Sequence, residues 1–175
     1  GELNINIFNF GDSIYDGFEK TKHDNKVIYE DLEKTHNFIS ENYQHEFSRE
    51  SLFTLYSLQD GISRLKYDSE SRGSGTMKFI TSFIEIGDYE NPIKDLIPDL
   101  TILSGKSKLI CTKKYKPFQI SGRYFISLND ESDLTIPPKK ECLSNLKTKF
   151  PGTLLSVKVY ISNENIVKKI NENGN

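Results

Sequence analysis

Gly73-Ser74-Gly75-Thr76 stands just ahead of an apolar run whose spacing, at Met77, Phe79, Ile80, Phe83 and Ile84, predicts a helix over 75–86. Glycine weakens a helix interior, so the pair belongs to the helix's beginning. There it has two readings. One is a bend without chemistry. The other is an anion cradle, because backbone N–H groups at a helix N-terminus lack intrahelical partners and sit at the positive end of the macrodipole. A dinucleotide fingerprint would need a preceding strand and a third glycine, and a Walker A loop would need a terminal Gly-Lys-Ser/Thr. Neither is present.

Other chemistry is thin. His23, His36 and His45 lie at no metal-ligating spacing, and no Ser-His-Asp or Cys-His arrangement suggests itself, so neither a metal site nor a catalytic residue is assigned. Cys111 and Cys142 read as buried or half-buried thiols of a reducing compartment. A net charge of −2, with both signs mixed along the chain, gives no global pull toward nucleic acid or acidic membranes. The basic run Lys106 to Lys116 reads as a solvated strand-and-loop face. No stretch approaches the roughly 20 apolar residues of a spanning helix, and no signal peptide opens the chain. The expected setting is cytoplasmic, with no membrane or nucleic-acid partner.

The elements that must position the glycine pair follow an α/β order. Leu3, Ile5 and Ile7 alternate with Asn4 and Asn6, predicting a strand over 3–9 that stops at Gly11. Helical spacing covers 27–43. Ser48, with Ser51 as a weaker alternative, is a cap for a second helix over 49–59, which ends near Asp60-Gly61. Beyond the glycine-pair helix, strands are expected over 100–105, 108–114, 122–128 and 153–161, with a tight turn at Gly105-Lys106 and a short helix over 142–148. The predicted architecture is α+β: a two-layer sandwich with a mixed, mostly antiparallel sheet and the helices of 27–43, 49–59 and 75–86 on one face. Residues 1–162 form one domain, and the polar stretch 163–175 is a frayed helix or tail.

This order resembles the GHKL, or Bergerat, ATP-binding fold shared by gyrase B, heat-shock chaperone, sensor histidine kinase and MutL ATPases. "INIFNFGDSI" resembles its first glycine box. "DGISRLKYDSESRGSGTMKFI" resembles the end of the ATP lid and the second glycine box. "LTILSG" is similar to the serine-bearing strand that follows, and "FPGTLLSVKVYI" to the closing Gly-Thr strand. Together they span nearly all of residues 3 to 162. "TLYSLQDGISRLK" also resembles a group of bacterial ATP-binding proteins of this class.

The resemblance implies a nucleotide site. Asn9 stands where the family has the aspartate that accepts from the adenine amino group; an amide oxygen also accepts, without the strengthening charge. The alternative for Asn9 is a strand-end turn residue bonded to its own backbone. Gly11 matches the first glycine of the box, and Ser13 replaces the second. Thr153 corresponds to the threonine that shares adenine recognition. Gly73, Ser74, Gly75 and Thr76 would offer backbone N–H groups to phosphates, with Arg72, Arg64 or Lys66 adding countercharge. The family also carries, ahead of its first box, a helix whose Glu and Asn handle water and Mg²⁺. This chain begins after that point and lacks both, and Gly1 reads as the remnant of a cleaved tag. The implied function is ATP binding, with Mg²⁺, by a switch or regulatory ATPase with a protein partner; this chain alone would bind ATP weakly or not at all and would not hydrolyse it. The alternative is a degenerate interaction domain that keeps the sandwich but no nucleotide.

Overall fold

The computed structural model describes residues 2–63, 74–86, 99–160 and 167. Along the chain run β1 (Glu2–Asn9), α1 (Ile14–Thr21), α2 (Lys26–Asn42), α3 (Arg49–Ser57), α4 (Gly75–Ile86), β2 (Asp99–Thr112), β3 (Phe118–Ile120), β4 (Arg123–Phe125) and β5 (Leu143–Tyr160). The strands form a three-stranded sheet, in the order β1-β5-β2, and a separate β3-β4 hairpin. Every strand pairing among the described residues is antiparallel. The class is α+β. No described helix is long and apolar enough to cross a membrane.

The core lies between the sheet and α3. Serine 48 caps this helix, its Oγ accepting the Ser51 N–H at 3.2 Å. All residues from Ser51 to Ser57 are buried, because α3 touches the sheet as well as α1 and α2. Alternation along β2 and β5 sends Leu100, Ile102, Val157 and Val159 into the same core, where Leu52, Leu55, Met77 and Ile80 meet them. The helices α1, α3 and α4 pack on β2, whereas α2 packs on α3. Of the three helices expected on one face, α3 and α4 touch β2 and α2 packs on α3.

Three local expectations give way. Residues 100–105 and 108–114 are not two strands around a tight turn but one strand, β2. Gly105 takes φ +57° and makes a bulge, shifting the register between Ser104 and Ser107 rather than reversing the chain. The Lys106 N–H, released from the ladder, donates to Glu50 Oε1 of α3 at 2.7 Å. The helix expected over 142–148 is instead the beginning of β5. Its backbone pairs with β2 from Leu109↔Leu143 to Ser107↔Asn145. Being extended, it lets Asn145 Oδ1 accept the Ser48 N–H at 2.9 Å and tie β5 to the start of α3. The strand expected over 122–128 is only Arg123–Phe125, paired with β3 across a turn at Ser121 and Gly122, both at positive φ. One helix, α1, is additional. Its signal was Ser13-x-x-Asp16, a capping box: Ser13 Oγ accepts the Asp16 N–H at 3.1 Å and Asp16 Oδ2 accepts the Ser13 N–H at 3.3 Å. Strand 153–161 agrees through Tyr160; the stretch 163–175, Val167 excepted, lies outside the described residues.

Candidate functional site

The register of β1 on β5 builds the floor of the site. Ile7 pairs with Leu155 and Asn9 with Thr153. Residues two apart on a strand share a face, so an apolar pair and then a polar pair lie side by side. Gly152 permits the close approach at this end. It takes φ +117°, and a Cβ there would strike the Asn9 carbonyl.

Two helix N-termini meet this floor. At α1, the Ile14 N–H donates to Ser104 Oγ of β2 at 2.8 Å, and Ser104 Oγ lies 2.9 Å from Thr153 Oγ1. Ser104 is fully buried, so β2, β5 and α1 are joined through one hydroxyl. At α4, the Lys78 N–H bonds to the Ser74 carbonyl at 3.0 Å, which makes Ser74 the cap. The first-turn N–H groups of a helix have no intrahelical carbonyl to bond.

Between floor and helices lies a cavity of about 470 Å³, within the range of small-molecule sites. Ile7, Leu155, Phe18, Leu58 and Ile62 supply its apolar lining; Asn9, Ser13, Ser57, Ser63, Thr76 and Thr153 supply polar groups, with the Gly75 backbone beside them. Asp12 is the one charged side chain among these described lining residues, and Lys20 neutralises it at 2.6 Å. The position of α1 is held from behind. Arg49 bridges Glu19 of α1 at 3.4 Å, pairs with Glu33 of α2, and donates to Tyr29 Oη at 2.6 Å. Burial pushes the Glu19 carboxyl up, but hydrogen bonds from Tyr29 and Tyr15 and the Arg49 charge outweigh it, and the net pKa is lowered.

Of the candidate residues, Asn9, Ser13, Gly75, Thr76 and Thr153 line this one cavity. The Asn9 side chain makes no hydrogen bond among the described residues, so it is not closed on its own backbone. Ser13 is nearly fully buried with its hydroxyl committed to capping α1. Gly11, at φ +144°, turns the chain from β1 toward α1 beside Gly152, and Ser74 caps α4; neither lines the cavity. Arg72 and Gly73, with Arg64, Lys66 and the rest of 64–72, lie outside the described residues. Ser104 was missed as a positioning residue, although "LTILSG" contained it. The apolar lining from Phe18, Leu58 and Ile62 had no sequence signal, because any core residue reads alike. No family model, curated protein or solved structure matches the chain.

Proposed function

We propose that the cavity is a nucleotide site of GHKL type, binding ATP. The observation that carries this reading is convergence. Asn9, Ser13, Gly75, Thr76 and Thr153, chosen from separate segments, line one cavity of suitable size. In this reading Ile7 and Leu155 receive the base, Asn9 and Thr153 take its polar edge, and the α4 N-terminus takes phosphate. Apolar walls with a few convergent polar groups suit a base, and the helix terminus suits an anion. The described lining residues also fit the group in part only: they include Asp12 but no cation, so Mg²⁺ and further countercharge would come from elsewhere. When bound, ATP with Mg²⁺ would supply a phosphoryl group; the chain's own residues bind and orient it.

A ligand present at about 100 times its Kd stabilises a fold by about 2.7 kcal/mol. For a domain of this size that raises Tm by roughly 5–11 °C, at about 2–4 °C per kcal/mol. Millimolar Mg-ATP is expected to give this chain a smaller but saturable shift, with no hydrolysis. Gly75→Val should abolish the shift while leaving the unliganded Tm nearly unchanged, since a Cβ at Gly75 meets nothing within 4 Å. A shift that survives Gly75→Val, or a chain extended by the upstream Glu/Asn helix that binds ATP no better than this one, would sink the nucleotide reading. The second reading, an interaction domain without nucleotide, is favoured by Asp12 being the one charged side chain among the described lining residues, and would then take over.

A further inference from the structure

We propose that β1 is a self-pairing edge, and that two copies of this chain join along it, antiparallel, into one continuous sheet. On one side β1 pairs with β5; on the other it has no strand partner among the described residues. Edge strands ordinarily carry lysine, proline or a bulge that blocks such pairing. From Leu3 to Phe10 there is no charge, no proline and no glycine, and the register to β5 runs unbroken from Glu2 to Asn9. Apart from Ile5, which packs half-buried against the core, the strand is exposed on both faces. Leu3 is 40% and Ile7 47% exposed on one; Phe8 is 54% and Phe10 73% exposed on the other, their rings stacked 6.1 Å apart.

The occupant follows from self-complementarity. An antiparallel strand pair is symmetric under a two-fold axis, so one strand can serve both sides of an isologous contact. With the axis at Ile5, Ile5 meets its own copy and Leu3 meets the second copy's Ile7, continuing the apolar face across the junction. On the other face Asn4 meets the second copy's Asn6, amide to amide. No like charges oppose each other: Glu2 falls opposite a phenylalanine and is held by Lys158 of its own sheet at 3.2 Å. A register slipped by one residue would set Ile5 against asparagine, and the period of two excludes it. Eight strand residues a side are fewer than the roughly 20–30 of a standard interface, so the dimer should depend on concentration.

Sedimentation of the chain from low to high micromolar concentration tests this. The expected result is a rise to twice the monomer mass. Leu3→Lys with Asn6→Lys, both at exposed positions, should hold the mass at that of a monomer with an unchanged circular dichroism spectrum. Ile5→Cys should form an intermolecular disulfide on mild oxidation, because directly opposed strand residues lie within disulfide reach; Leu3→Cys should not. A chain that stays monomeric throughout overturns the proposal and leaves the edge to another protein or to flanking sequence. A dimer that survives the lysines, or that does not cross-link at position 5, overturns it as well.

Discussion

Ser104 and Thr153 hold their hydroxyl oxygens 2.9 Å apart across the β2–β5 pair, and the same Ser104 oxygen accepts the Ile14 N–H of α1. A buried hydroxyl thus ties the floor of the cavity to the helix beside it. Ser104→Ala leaves the Ile14 N–H without an acceptor, which costs about 1–3 kcal/mol. Thermal denaturation should show a fall of roughly 2–12 °C at about 2–4 °C per kcal/mol. An unchanged Tm would mean that α1 is not held through this contact.

Gly152 tests the other end of the same floor. Its φ of +117° and the Asn9 carbonyl against its missing side chain both oppose any L-residue. Gly152→Ala is expected to destabilise by about 1–3 kcal/mol from backbone strain, with the collision adding to it. Urea denaturation reads this directly. Stability within error of the parent would refute the tight approach of β5 to β1.

Acid should loosen α1 before the core. Asp16 is gripped by Lys149 of β5 at 2.7 Å and 2.9 Å, and also accepts the Ser13 N–H. The Lys149 hydrogen bond leads the effects that hold its pKa below the usual 3.8, outweighing burial. A carboxyl depressed in the folded state binds its proton more readily when unfolded, so it stabilises the fold above its usual pKa. That stability is lost as pH falls through the lower, folded value. Between neutral pH and the acid transition, Asp16→Asn should lower stability and flatten its dependence on pH. A variant whose pH profile overlays the parent's would show that the Lys149 contact does not form in solution.

The two thiols should be silent. Cys111 and Cys142 are free and buried. Burial pushes Cys111 up to about 12 and Cys142 to about 11, and only the thiolate is nucleophilic. At neutral pH a thiol reagent should modify neither in the native protein and both in denaturant. Rapid native labelling would mean that the junction of β2 with the start of β5 opens locally.

Local signals determined what needs only neighbours. The alternation of Leu3, Ile5 and Ile7 specified β1, and the spacing of apolar residues with a Ser48 cap specified α2, α3 and α4, because periodicity and capping act within a turn or two. The capping box at Ser13 and Asp16 was equally local evidence for α1. Residues 142–148 and Gly105 were decided otherwise. Their short polar and apolar mixtures suit a helix or a turn, and what settles them is the ladder that β2 and β5 offer each other, which no local pattern contains. The cavity divides the same way. Residue types at Asn9, Gly75 and Thr153 suggested recognition chemistry, but only the β1–β5 register sets Asn9 opposite Thr153, and only the packing of α1, α3 and α4 on β2 closes walls above that pair. Pairing across strands distant in sequence is chosen by the burial it makes possible, and burial is a property of the assembled fold.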